Sequence, residues 1–402
     1  MCRLRSLFQA TSAVLVAAML TCATGAPRST DRADPVSAVA SSGFTAKELQ
    51  SLATLGPWPP PLRRDPSNHV SGQPKAIELG RLLFGDARMS PVGYIGCVTC
   101  HQPDRAFTDL KPRAHGLADL PRNTPALANL AGQRWYGWGG ASDSLWMASI
   151  RPILDAREFD GSAASVVRVF ERDAALASCY QRVFKASPLK EASLTLVNVG
   201  KALAAFQETL VTGRTAFDEV RDAVLRGDAA ATRHYPPAAL RGLRLFIGPA
   251  GCIACHRGPA LTDGEFHAGV DSDNDSDDSG RLEDARRLLA DPLNLLGQHN
   301  DDPRRSTSAA TRALAMSDAL RGQIRTPGLR NVAVTAPYLH DGQVEHLALA
   351  AQHQVPAGFR PAAPLGPGEV RDLTAFLLTL TDAHGARRPW LARSADSPAD
   401  CR

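Results

Sequence analysis

From Ala46 onward the chain places apolar residues at three- and four-residue spacing over Lys75 to Phe84, Val166 to Phe184, Leu194 to Val211, Pro237 to Phe246 and Gly368 to Leu380. Each stretch predicts an amphipathic helix. No run sustains the alternation of a strand, and long loops punctuated by Pro and Gly separate the helices. The predicted class is all-α. Two of the helices end in Leu-Phe, Leu82-Leu83-Phe84 and Leu243-Arg244-Leu245-Phe246, and a Cys-x-x-Cys-His run follows each of them. This weak internal repeat predicts two similar units. The Asp- and Ala-rich stretch before Pro236-Pro237 predicts a boundary near 230–235, with one unit over 44–232, a second over 233–392 and a tail over 393–402.

The N-terminus breaks this pattern. Arg3 and Arg5 precede an apolar stretch from Ser12 to Leu20 and a small-residue end, Ala23-Thr24-Gly25-Ala26, so residues 1–26 predict a secretory signal peptide and a periplasmic location. The apolar stretch is too short to span a bilayer, and no later segment reaches the needed length, so no membrane span is expected. Cys22 opens the alternative of lipid attachment, for which Met19-Leu20-Thr21 is a poor match. Residues 27–43 lack periodicity and read as a flexible leader.

Composition narrows the function classes. With 402 residues, 44% apolar, the chain can bury two ordinary cores, and a net charge of +4 with scattered basic residues gives no footprint for nucleic acid. Asp271 to Gly280 resembles a calcium loop only superficially. It lacks Gly at the sixth position and Glu at the twelfth, so it reads as an acidic solvated loop.

The eight cysteines do not form a disulfide scaffold. Cys2 and Cys22 belong to the N-terminal region, Cys97, Cys100, Cys252 and Cys255 to the two motifs, and Cys179 and Cys401 are left over as a pair that an oxidising compartment allows to bond. In Cys-x-x-Cys-His the thiols form thioethers with haem vinyl groups and the histidine becomes the proximal iron ligand, so two covalent c-type haems are expected, on His101 and on His256. A redox dithiol or a zinc site competes with this reading, but neither requires a histidine directly after the second cysteine in both runs.

Leu79-Gly80-Arg81-Leu82-Leu83-Phe84-Gly85-Asp86, Phe107-Thr108-Asp109, Arg122-Asn123-Thr124-Pro125, Thr326-Pro327-Gly328-Leu329-Arg330-Asn331 and Thr335-Ala336-Pro337-Tyr338-Leu339-His340-Asp341-Gly342 accompany these motifs. Together they resemble the bacterial di-haem cytochrome c peroxidases, a superfamily that also holds the methylamine-utilisation di-haem enzyme, which oxidises tryptophans of another protein. The resemblance implies two cytochrome-c-like domains packed around an interdomain calcium ion. It makes the haem on His101 peroxidatic and that on His256 the electron-transfer haem. It implies Asn123, Thr335 and Pro337 as calcium ligands, Trp138 as a charge bridge between the haems, and Glu158 as the distal acid-base group. His115 matches a distal histidine that blocks some relatives until the second haem is reduced. Without the resemblance, Trp138 is an ordinary core aromatic, and Glu158 and His115 are solvated loop residues.

The sequence also departs from the family. Its Trp-Asp-Gly-Arg-Ala is here Trp138-Gly139-Gly140-Ala141, and a Gln ten residues after the Trp is Ala148. The slot of the second haem's distal Met or Tyr holds Gln354 beside His353, with Met316 a remote substitute and an open site as the alternative. The expected function is peroxide reduction with electrons from a small periplasmic carrier, a cytochrome c or a cupredoxin. Oxidation of side chains on a partner protein, or plain electron transfer, are the competing readings.

Overall fold

The computed structural model of the chain describes residues 43–268, 278–353, 364–382 and 401. The signal and nearly all of the leader lie outside them, as does most of the acidic loop. The described chain is mostly helical. Its longer helices are α1 (Ala46–Thr54), α2 (Pro74–Phe84), α3 (Leu145–Leu154), α4 (Ala163–Glu171), α5 (Ala174–Phe184), α6 (Ala192–Gln207), α7 (Ala216–Leu225), α8 (Pro237–Ile247), α9 (Arg281–Ala290), α10 (Leu347–His353) and α11 (Pro367–Leu378). One short antiparallel ribbon joins them, β1 (Phe266–Ala268) with β2 (Gln323–Arg325), paired Phe266 to Arg325. Three-residue strands carry too few positions to show an alternation, which is why the pattern does not reveal them.

The first core is built around α6. Every residue from Thr195 to Gln207 is buried, so this helix has neighbours on all sides. It takes α2, α3 and α4. The close approach to α2 depends on Gly80, where a Cβ would lie 2.0 Å from the Ala202 carbonyl oxygen. Gly200 does the same for α3, with Ile150 Cγ1 at 2.5 Å. The second core repeats the device. Gly242 on α8 would put a Cβ 1.9 Å from the Asp372 carbonyl oxygen of α11, and Phe246 and Phe376 pack with ring centroids 5.0 Å apart. In both units the crossing glycine stands four residues before the Phe that ends the Leu-Phe pair, Gly80 before Phe84 and Gly242 before Phe246.

The two cores do not follow the boundary expected near 230–235. Phe44, Leu52, Leu55, Phe217 and Val224 belong to the second core, while Leu288 and Leu295 return to the first. Amphipathic faces go where a complementary face exists, so the two units interleave along the sequence. Cys179 of α5 is bonded to Cys401, with Cα atoms 4.7 Å apart, which ties the chain's end to the first core.

Two outcomes follow for stability. Gly242→Ala overpacks a backbone contact and is expected to destabilise by about 1–3 kcal/mol in a denaturant titration of the holoprotein. Cys179→Ser opens a loop of sequence separation 222, and it is expected to cost roughly 2–4 kcal/mol in the same titration.

Candidate functional site

Glycine at 96 lets the first motif start close against the backbone of Ala87, and Cys97–Cys100 forms a single helical turn that His101 ends. The His101 Nδ1 donates to the Phe107 carbonyl at 3.0 Å. A carbonyl only accepts, so the proton sits on Nδ1 and Nε2 carries the lone pair. Burial lowers the pKa of this imidazole, against the carbonyls of Phe107 and Pro125, and keeps it neutral as iron ligation requires. Burial likewise pushes the Cys97 thiol up to about 12 and Cys100 up to about 11. Redox dithiols have depressed values, so this environment does not suit that chemistry. Among the described residues neither motif brings both sulfurs and its histidine together on one point; the cluster with metal-ligand spacing there, Cys255 with Asp263 and His267, takes one motif sulfur and leaves His256 out.

Cys97, Cys100, His101 and Phe84 line a cavity of about 780 Å³, within the range of cofactor sites. Glu158 faces the same cavity from the loop after α3. Burial pushes its carboxyl up to about 7, helped by Asp155 and opposed by Arg151 and Arg157. Arg157 is spent on Asp155, 2.8 Å away, and the Glu158 carboxyl has no hydrogen-bond partner among the described residues. The loop around Gly116 packs on the Glu158 backbone so tightly that a Cβ there would lie 2.7 Å from Glu158 Cα.

The second site repeats the proximal geometry. His256 is buried, and its Nδ1 donates to the Leu261 carbonyl at 3.1 Å. Cys252, Cys255, His256 and Phe246 line a second cavity, completed by Leu347, Ala350 and Ala351 of α10 and Leu373 and Leu377 of α11. Burial pushes the Cys252 thiol up to about 12. Both sites therefore fit a covalently held haem with a neutral histidine ligand. The Thr124 hydroxyl, buried and without a hydrogen-bond partner among the described residues, lies in the lining of both cavities and is a polar group that a bound species can satisfy.

Trp138 lines both cavities, and so do Asn123, Thr124 and Arg325. The Trp138 Nε1 donates to the Asn123 carbonyl at 2.8 Å, and its own carbonyl accepts from the Arg325 N–H at 2.8 Å. Asn123 is buried, and its Nδ2 donates to the Lys111 carbonyl at 2.8 Å, so its Oδ1 is the atom left for another partner. Thr335 and Pro337 line the second cavity together with Asn123. His115 takes no part in either lining. Its side chain is half exposed, with Nδ1 2.6 Å from Asp119. His353 ends α10, but its side chain, like the whole of Gln354, lies outside the described residues. Met316 is exposed and lines neither cavity.

Sequence reasoning missed the cations and amides that complete the wall. Arg281, fully buried, donates to the Gly139 and Gly140 carbonyls at 3.0 and 2.7 Å, between the rings of Trp135 and Phe266. Arg122 bonds Asp278 and Asp284, each at 2.6 Å. Gln207 of α6 lines the first cavity near Ala148 and donates to the Ser149 hydroxyl at 2.7 Å. The only available signal for these residues was the departure at Gly139, Gly140 and Ala148 itself.

Comparison with known proteins agrees with this geometry. A sequence profile of the di-haem cytochrome c peroxidases matches residues 74–229. The methylamine utilization protein MauG of Methylorubrum extorquens is 32% identical, over 85% of this chain and 88% of its own. The cytochrome c551 peroxidase of Nitrosomonas europaea is 28% identical, over 76% of this chain and 79% of its own. Among solved structures, a MauG-like protein associated with microbial copper homeostasis superposes with a TM-score of 0.64 at 25% identity, covering 84% of this chain and 97% of that one. The diheme peroxidase BthA from Burkholderia thailandensis shares the fold, with a TM-score of 0.61 at 22% identity over 81% of this chain and 88% of its own. Two haem-attachment motifs with matching proximal geometry, a carboxyl facing the first of them and a relative this similar over most of both chains make the protein a member of the di-haem cytochrome c peroxidase family, which includes the MauG proteins.

Proposed function

We propose that this protein is an exported, periplasmic di-haem peroxidase that reduces hydrogen peroxide to water with electrons from a small redox protein, a cytochrome c or a cupredoxin. The observation that carries this reading is Glu158, a carboxyl raised to about 7 and facing the cavity that His101, Cys97 and Cys100 line. The haems, once attached, supply the redox-active iron. Splitting peroxide into two waters consumes two electrons and two protons. A carboxylate takes a proton from one peroxide oxygen and returns it to the other, so the O–O bond breaks without expelling hydroxide. Glu158 suits that task because its pKa lies close to a working pH and its oxygens are not engaged by other groups among the described residues.

Trp138 is the path by which an oxidising equivalent passes between the two sites, since it lines both cavities and is fixed at its indole N–H and its carbonyl. Asn123, through Oδ1, with Thr335 and Pro337 as carbonyl donors, forms the calcium site of the same wall, where hard oxygen ligands suit that ion. The half-exposed position of His115 does not support a role as distal ligand. A second reading, oxidation of a side chain on a partner protein, is favoured by the bare Gly139 and Ala148 and by the 32% identity to the methylamine utilization protein. The two readings share Glu158 and differ in the source of the electrons.

Glu158→Gln keeps the shape and removes the base. With haem content unchanged, steady-state peroxide turnover is expected to fall about 10²- to 10⁴-fold, and unchanged turnover would refute the proposal. The wild-type rate is expected to rise as pH climbs through about 7, because the ionised form starts the proton transfer. Stability runs the other way. Folding raises this pKa, so Glu158 contributes stability that is fully present below its unfolded value of 4.5 and lost as pH rises through about 7. The variant, which cannot ionise, is therefore expected to melt at or above the wild-type temperature at pH 8, measured on the same holoprotein.

A further inference from the structure

The loop that carries Trp138 has no side chain at 139, where the family pattern has Asp, or at 140, and the space beside both glycines is filled. A Cβ on Gly139 would lie 2.3 Å from Asp284 Oδ2, and one on Gly140 would lie 2.5 Å from the Arg281 guanidinium. Both charged occupants come from the first turn of α9, far along the sequence, and the Phe266 ring of β1 lies 2.4 Å from the same Cβ position at 140. We infer that Arg281 and Asp284 are positioning residues for Trp138, and that Asp284 supplies from α9 the carboxylate that this loop lacks at Gly139. The inference rests on the reading of Trp138 as the path between the two sites.

The geometry holds the indole from both ends. On the backbone side, Arg281 grips two successive carbonyls, Gly139 and Gly140, and the two aromatic faces that flank it leave its guanidinium one orientation. On the indole side, Asp284 takes Arg122 at 2.6 Å, which fixes the residue preceding Asn123, and the Asn123 carbonyl receives the Trp138 N–H. A shift of either contact turns the ring or moves its edge relative to the two cavities. Asp284 is itself buried, so its charge acts on Arg122 with little screening from solvent. A carboxylate carried by residue 139 would reach the same place, and Asp284 and a side chain at 139 exclude each other. The structure uses the distant one.

The test is the rate of electron equilibration between the two haems, followed optically in the half-reduced holoprotein after a laser flash, for W138F, D284A, R281K and the double variant G139D/D284A. Removal of a group that orients a redox centre's partner is expected to slow this rate on the order of 10- to 100-fold in D284A, with the haem spectra unchanged. In the double variant Asp284's carboxylate is gone, and the next contact for a Cβ at 139 is the Gly280 backbone carbonyl at 2.9 Å, so the start of α9 must shift to admit the side chain. Its rate is expected to rise above that of D284A toward wild type. A mere fold defect would not be repaired by moving the carboxylate. R281K keeps the charge without the planar guanidinium that Trp135 and Phe266 hold between their rings, is expected to be slow, and serves if D284A does not fold. D284A or R281K at the wild-type rate while W138F is slow, or a slow D284A that G139D fails to restore, would overturn the inference. W138F at the wild-type rate would instead overturn the bridge reading beneath it.

Discussion

The hydrogen bond from each motif histidine to a backbone carbonyl a few residues later, His101 to Phe107 and His256 to Leu261, decides what the rest of the structure can do. It fixes the tautomer, points Nε2 into the cavity and sets the ring plane. The bond has a backbone cost, because both acceptors are non-glycine residues in the left-handed region, Phe107 at φ 60° and Leu261 at φ 54°. Such positions cost on the order of 1–3 kcal/mol each. The side chains of the same two residues are almost fully buried, 1% and 0% exposed. Burying a Phe or Leu is worth about 1.5–3 kcal/mol, enough to offset the strain. The aromatic that closes each cavity, Phe84 or Phe246, is brought in by a helix whose glycine lets two backbones touch. Proximal geometry, strain and helix crossing thus form one unit, used twice.

The two copies diverge on the side facing away from the shared wall. The first cavity is surrounded by Arg113, Arg151, Arg157 and Glu158, and the second by leucines and alanines of α10 and α11. A proton carrier belongs where bonds are broken, whereas an apolar surround with low reorganisation belongs where electrons only pass. The division of labour proposed for the two sites therefore rests on their linings, since their proximal geometry is the same. The wall between them is polar, and its charges are paired or bonded to carbonyls, with Arg122 on Asp278 and Asp284 and Arg325 on Gly137 and Gln133.

Much of the site was legible in the sequence because covalent chemistry demands fixed spacing. Two Cys-x-x-Cys-His runs, each after an amphipathic helix, pointed to the two candidate attachment points, each of which lines a cavity, and the family spacing led to Trp138 and Glu158, both of which line the first cavity. What stayed hidden depends on contacts between distant segments. Gly80 and Gly242 look like ordinary helix glycines until the partner backbone is seen. Arg281 and Asp284 follow an acidic stretch that reads as solvated, yet both are buried. The interleaving of the cores, with Phe44 and Phe217 in the second and Leu295 in the first, cannot be read from a composition shift. A departure from the family pattern showed where something had to replace the lost groups, but not what.

The most direct test of the account is the absorption and EPR spectrum of the purified holoprotein, oxidised and half-reduced, before and after one equivalent of hydrogen peroxide. The account predicts a high-spin haem in at least one of these states, and its conversion by peroxide in the wild type but only slowly in Glu158→Gln. Two low-spin haems indifferent to peroxide in every state would contradict it and make the protein an electron carrier.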